Sequence, residues 1–288
     1  MCLALQVNID EWLQEQDFQR RRVKSTCDTL RHQGIPDLHY NLTRDVLRKL
    51  DHLLVLDSHK LIYCYIPKVG CTGWKRIFLL LLGRFQKMED ISNNRAHYTK
   101  IPRLSQYSMK EAKRRLDEYT TIMFTREPLQ RVISCYRDKF ERESAENRLI
   151  QRAVFEKLRP YLNSTKSVAG RGTFTKVQFA EFVRYVSDPR SVFHSYDATE
   201  HWKEMYKMCH PCLLRYNYTG RFEHLTRDSD IILEETGLRK FVSFPKSTNP
   251  TNTSGQATLE KYMSQLQEAD ITALKHRYEI DTLFGSMS

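Results

Sequence analysis

The chain has 288 residues, 40% of them hydrophobic and 28% charged, a composition that supports a sizeable core and excludes a disordered or fibrous protein. Its 46 Lys and Arg against 35 Asp and Glu leave a net charge of +11, which favours polyanionic partners: nucleic acid, anionic glycans or a multiply charged cofactor. No apolar run approaches the length of a membrane span, since Ile77–Leu82 is far too short, and Met1–Trp12 carries acidic residues where a signal peptide needs an apolar stretch.

In chain order, residues 1–50 read as a helical, basic, stem-like extension, with a helix expected over Thr43–Leu54 leading into the first strand. The strongest basic run, Gln19-Arg20-Arg21-Arg22-Val23-Lys24, has no aromatic residue interleaved, as a single-strand nucleic-acid binder needs. It reads as a solvated arm. Residues 51–288 read as one domain.

Leu61–Ile66 is apolar or aromatic throughout, a run suited to a strand buried on both faces, and Pro67 ends it. A small-residue loop, Lys68-Val69-Gly70-Cys71-Thr72-Gly73, precedes the helical run Trp74–Leu82, stopped by Gly83. A strand, a tight loop and a helix N-terminus aim backbone N–H groups and the positive helix end at one point, where an anion can sit. Lys68 and Lys75 would add mobile charge there. The spacing is not that of the common nucleotide loop, Gly, four residues, then Gly-Lys-Ser/Thr. The competing reading is a buried strand turning into a core helix with solvated lysines.

A polar stretch, Lys87–Tyr107, contains Asn93-Asn94-Arg95-Ala96-His97-Tyr98. Ser108 then caps an amphipathic helix over Ser108–Tyr119, with Glu111 completing a capping box. Thr120–Thr125 is a second buried strand, broken at Arg126-Glu127-Pro128, with Pro128 suited to the first helical turn. The helix Leu129–Glu141 puts Val132, Ile133, Tyr136 and Phe140 inward and leaves Arg131 and Ser134 on the surface. Two strand–loop–helix units with basic ends would form two sides of one anion site, because open α/β sheets bind ligands beyond the carboxyl ends of their strands.

Further on, Arg142–Gly172 reads as an irregular basic insertion, and Val177–Val186 as a helix capped by Thr175. Leu213–Gly220 reads as a third strand, Ser229–Thr236 as a helix and Thr258–Phe284 as a closing helix. Seven cysteines are an odd number for a fully paired secreted protein, yet sequons at Asn41, Asn163, Asn217 and Asn252 point to the secretory pathway. Cys209-His210-Pro211-Cys212, with His201 nearby, invites a zinc reading, but no second Cys-x-x-Cys exists. A disulfide through Cys209 or Cys212 is the expectation, with Cys64 and Cys135 as buried thiols.

Four blocks resemble the Golgi carbohydrate sulfotransferases, in the branch that sulfates N-acetylgalactosamine in chondroitin, dermatan and related glycans. Tyr63 to Arg76 is similar to that family's 5′-phosphosulfate loop, and Arg126 to Ser134 to its 3′-phosphate motif. Glu200-His201-Trp202 with Cys209-His210-Pro211-Cys212, and Tyr218 to Glu223, are similar to its downstream signatures. The resemblance implies an α/β, P-loop-like sulfotransferase fold with a doubly wound parallel sheet flanked by helices. It implies 3′-phosphoadenosine 5′-phosphosulfate as donor, no metal, and a glycan acceptor rather than nucleic acid.

Carried over residue by residue, Pro67, Lys68, Val69, Gly70, Cys71, Thr72, Gly73 and Trp74 hold the 5′-phosphosulfate. Arg126, Glu127, Pro128, Arg131 and Ser134 form the 3′-phosphate side. Lys68 and His97 are the catalytic pair, with His97 as base because a histidine stands at the same place in the family; His201 is the second choice, as base or acceptor contact. The family also implies the Golgi lumen and a type II membrane anchor, a span this chain does not contain. The alternative reading is an inactive glycan- or nucleotide-binding module on the same fold.

Overall fold

The computed structural model describes residues 2–35, 38–162, 177–188, 197–245 and 255–285. It divides into two compact units: Met1–Arg126 with Glu204–Thr248, and Glu127–Lys203 with Asn249–Ser288.

The first unit is built on a four-stranded sheet in the order β1 (Leu53–Leu56), β2 (Leu61–Cys64), β3 (Thr120–Thr125) and β4 (Tyr218–Arg221). β2, β3 and β4 run parallel, and β1 is antiparallel to β2. Strand β1 corrects the expected helix over Thr43–Leu54. The helix α2 (Arg44–Lys49) is short, capped by the Thr43 side chain, and Leu53–Leu56 continues the apolar run as a fully buried strand. The expected third strand contracts to Tyr218–Arg221.

Helix α1 (Cys2–His32) belongs to this unit. Trp12 is 2% exposed within the core, its ring centroid 5.5 Å from that of Tyr218. Gln16 accepts from the backbone N–H of Thr219 at 2.7 Å, and Arg20 donates to the Asn217 carbonyl. A fully buried side chain of this size contributes roughly 1.5–3 kcal/mol, so the aromatic contact outweighs the solvated charges around it. No helix among the described residues is long and apolar enough to cross a membrane.

Between the strands lie α3 (Cys71–Leu81), α4 (Asn93–Tyr98) and α5 (Met109–Glu118), and α9 (Tyr206–Cys209) and α10 (Leu225–Glu235) flank β4 in sequence. The capping box of α5 is present: Glu111 N–H donates to Ser108 Oγ at 3.3 Å and Ser108 N–H to Glu111 Oε2 at 3.0 Å. At the start of β2, Arg115 reaches Asp57 with two bonds of 2.8 and 3.1 Å, joined by the hydroxyls of Tyr119 and Tyr107. The Arg115 guanidinium, and then the two hydroxyls, hold the Asp57 carboxyl below its usual range.

Two disulfides tie distant segments together, Cys27 to Cys212 and Cys64 to Cys209. Cysteines 209 and 212 are therefore both bonded, and neither is a thiolate for zinc. Cys64 departs from the expected buried thiol, because β2 ends beside α9 and brings its last residue against Cys209. Cys135 is a buried thiol as expected.

The second unit holds α6 (Pro128–Tyr136), α7 (Ala145–Leu158), α8 (Phe179–Ser187), α11 (Gln256–Met263), α12 (Glu268–Arg277) and α13 (Glu279–Gly285). Its core gathers Val132, Ile133, Tyr136 and Phe140 with Phe179, Phe182, Trp202 and Tyr262, the inward face read from the sequence. Two expectations change. Residues 145–158, read as irregular, form α7, and the single closing helix is three. The Thr175 cap lies outside the described residues; α8 is instead boxed by Gln178 and Glu181.

Candidate active site

The cradle begins where β2 ends. Tyr65 and Ile66 continue buried, Pro67 stops the ladder, and the chain turns through Lys68 at φ 70° and Gly70 at φ 72°. A non-glycine residue in this left-handed region costs on the order of 1–2 kcal/mol, so something must hold Lys68 there. The Arg126 side chain, at the end of β3, meets that need. Its Nη1 donates to the Lys68 carbonyl at 2.8 Å, its guanidinium carbon lies 3.9 Å from the centre of the Phe222 ring, and it is 1% exposed. A hydrogen bond from a charged group contributes about 1.5–3 kcal/mol, enough to offset the conformational cost.

Gly70 is the N-cap of α3 and has no side chain to occupy the helix start. The first-turn N–H groups of an α-helix lack intrahelical partners, and with the positive helix end they form a binding place for an anion. Two apolar side chains back this loop. A Cβ on Gly70 would come 2.6 Å from Leu225 Cδ2, and one on Gly73 would come 2.6 Å from Phe244 Cζ. A side chain at either glycine would have to displace Leu225 or Phe244, a constraint with no local signal because both lie far along the chain.

Lys68 is half-buried. Lys75 does not add mobile charge to the cradle: it is 7% exposed, with Nζ 3.7 Å from the Tyr65 ring centre, a cation–π contact in place of solvent. Arg76, also buried, donates to Asn93 Oδ1 at 3.0 Å and so links α3 to α4. Trp74 is fully buried, so its part in the cradle is confined to the backbone.

His97, exposed on α4, reaches this place. Its Nε2 lies 3.2 Å from Thr72 Oγ1 on the first turn of α3. Twenty-five residues separate the two in sequence, and no spacing rule predicts their meeting. A neutral imidazole beside the start of a helix can act as a proton acceptor there. Tyr98, the next residue, is 72% exposed.

The second motif differs from its sequence reading. Glu127 caps α6, its carboxylate accepting from the N–H groups of Leu129 at 3.0 Å and Gln130 at 2.6 Å, with Pro128 at the first helical position. Arg131 and Ser134 are not on the surface: each is 1% exposed. Arg131 donates to the Lys203 carbonyl at 2.7 Å and to that of Glu200 at 3.1 Å, fixing the turn that carries His201 and the buried Trp202. His201 is half-buried in the second unit. Of the sequons, Asn41 and Asn217 are exposed, with Asn217 Oδ1 also accepting from Thr121 N–H at 2.8 Å; Asn163 and Asn252 lie outside the described residues.

A strand-to-helix cradle with an imidazole at its mouth can serve transfer of an anionic group to a nucleophile, and comparison with known proteins narrows the class. The model of the Sulfotransferase family matches residues 51–284. Carbohydrate sulfotransferase 11 of Mus musculus is 35% identical over 244 residues, spanning 83% of this chain and 68% of that protein. Carbohydrate sulfotransferase 14 of Danio rerio is 32% identical over 275 residues, spanning 94% and 71%. Carbohydrate sulfotransferase 9 of Homo sapiens is 29% identical over 283 residues, spanning 96% and 61%. No solved structure matches the chain. With the match running through the cradle, the His97 helix and both units, the chain belongs to the Sulfotransferase family and is a sulfotransferase.

Proposed function

We propose that this protein transfers a sulfonate group from 3′-phosphoadenosine 5′-phosphosulfate to a hydroxyl of a glycan, with N-acetylgalactosamine in chondroitin- or dermatan-type chains as the acceptor sugar. The observation that carries the reading is the 3.2 Å approach of His97 Nε2 to Thr72 Oγ1 at the open start of α3. The names of the relatives, all carbohydrate sulfotransferases, support a carbohydrate acceptor, and the sequence resemblance supports the branch. The same resemblance supports a P-loop-like, doubly wound sulfotransferase fold over residues 51–288; residues 1–50 precede it, with Trp12, Leu47 and Leu50 packed into the first unit's core.

The donor supplies an activated sulfonate and a phosphate leaving group. The residues do the rest. Lys68 and the amides from Cys71 to Trp74 hold the 5′-phosphosulfate and oppose the charge that develops on the leaving oxygen, which is where preorganised donors contribute most to catalysis. His97 removes the proton from the acceptor hydroxyl as its oxygen bonds to sulfur and the sulfur–oxygen bond to phosphate breaks. In this reading Arg126 and Ser134 serve the 3′-phosphate side. Glu127 and Pro128 shape the helix start, Arg131 holds the turn before Trp202, and His201 contributes to acceptor placement. Oxidised cysteines and sequons at Asn41, Asn163, Asn217 and Asn252 fit glycosylation in the Golgi lumen, where the relatives' resemblance also points.

A labelled-sulfate transfer assay tests this across chondroitin, desulfated dermatan and terminal N-acetylgalactosamine acceptors. Incorporation into at least one, dependent on the phosphosulfate donor, is the expected result. Tight binding of adenosine 3′,5′-bisphosphate with no transfer to any glycan would instead favour the binding-module reading.

A further inference from the structure

We propose that Arg126 is a positioning residue of the sulfonate cradle, acting through the backbone of Lys68. The geometry lies entirely in the first unit. Arg126 leaves the end of β3 and is 1% exposed. Its Nη1 donates to the Lys68 carbonyl at 2.8 Å while the guanidinium carbon lies over the Phe222 ring, 3.9 Å from its centre. Lys68 is the residue of the loop that needs support, because it takes φ 70° without being glycine. Its conformation sets where the following amides, Val69 to Gly73, point as they enter α3. A planar donor held by an aromatic face fixes a carbonyl in direction as well as distance, which a lysine at this position would not do.

Phe222 follows β4 directly, so the clamp joins the ends of three neighbouring strands: β2 through Lys68, β3 through Arg126 and β4 through Phe222. The consequence is specific. Removing Arg126 loosens the part of the site that receives the 5′ group, whether or not the ligand carries a 3′-phosphate. A residue that only contacts the 3′-phosphate affects ligands that possess it and no others.

The ligand arm of the test rests on the donor reading above; the exchange arm does not. The full chain and its Arg126→Ala variant are titrated calorimetrically with adenosine 5′-monophosphate and with adenosine 3′,5′-bisphosphate. We expect the monophosphate affinity itself to fall, about tenfold or more for a lost charged hydrogen bond, and the bisphosphate affinity to fall at least as far. An unchanged monophosphate affinity with a collapsed bisphosphate advantage overturns the proposal. Amide hydrogen exchange on the unliganded proteins gives the second readout, with faster exchange expected in the peptide spanning Pro67 to Trp74 and little change in α5. Unaltered protection of the cradle overturns the proposal even if neither nucleotide binds, an outcome that by itself would sink only the donor reading. Phe222→Leu keeps the charge and removes the aromatic ring. It should reproduce both effects in weaker form, and it stands in if Arg126→Ala does not fold.

Discussion

The chain contains the same local construction twice, and the two copies are chemically opposite. In the first, β2 turns into α3 through Gly70, which has no side chain, and the helix start is left without a cap from its own residue. In the second, β3 leads into α6 through Glu127, whose carboxylate takes the N–H groups of Leu129 and Gln130. A helix N-terminus holds an anion either way. In α6 that anion is part of the protein, whereas the start of α3 has no side-chain cap of its own. A strand, a break and a helix therefore do not by themselves make a phosphate site; the residue at the N-cap decides whether the site is available. Arg126 stands just before the filled helix start and serves the open one.

The largest expected effect tests the group that only the open copy has at its mouth. Folded His97→Ala should lower turnover by at least ~10²-fold while nucleotide affinity stays near wild type; His201→Ala should act more mildly. Steady-state rates with calorimetry on the same preparations, after unfolding midpoints have been matched, decide this. If His97→Ala turns over normally and His201→Ala does not, the base assignment moves to His201.

Making the open copy resemble the filled one comes next. Gly70→Asp sets a carboxylate at the start of α3, against Leu225 and at positive φ. It should weaken adenosine 3′,5′-bisphosphate by roughly 10–100-fold, the scale of losing a charged hydrogen bond or gaining like-charge opposition. Calorimetry reads it.

The reciprocal change is smaller. Glu127→Ala removes a helix cap, at a cost of about 0.5–2 kcal/mol, seen as a lower denaturation midpoint. Affinity for the bisphosphate should stay within about twofold if the carboxylate serves only α6.

The smallest effect is a control at the far end of β2. Asp57 has its carboxyl pKa lowered by Arg115, so its contribution is present above the unfolded value of about 3.9 and is lost as pH falls through the folded one. Its side chain is 47% exposed, so solvent screens the pair and the contribution stays below about 1 kcal/mol. Asp57→Asn should slightly flatten the acid limb of a stability–pH curve and leave sulfonate transfer unchanged.

Much of the first cradle was legible in the sequence. The apolar run to Ile66, the break at Pro67 and the small residues before Trp74 announce a strand, a turn and a helix whatever the rest of the fold does. The environment of the charges was not. Lys75 and Arg131 sit on helices where a charged side chain is ordinarily solvated, yet one rests on the Tyr65 ring and the other bonds two backbone carbonyls. Their partners lie ten or about seventy residues away, beyond any helical periodicity. Strand β1 escaped for a different reason: Leu53–Leu56 follows the apolar residues of α2 without a glycine or proline between them. Cys64 was misread because cysteine connectivity is not contained in spacing. His97 was singled out through family likeness alone; its approach to Thr72 rests on the packing of α4 on α3, which no periodicity encodes.

One contact of α1 has a consequence for how the protein behaves in bulk solution. β4 is the last strand of its sheet, and an unpaired outer strand is a template for joining another chain. Here the Gln16 carboxamide accepts from Thr219 N–H, Arg20 donates to the Asn217 carbonyl, and Trp12 lies against Tyr218. The helix thus occupies with side chains the hydrogen-bonding places a fifth strand would fill. Trimming the chain through Arg20, as one would to shorten a stem, would uncover that row and trade solubility for self-association, even with every residue of the cradle intact.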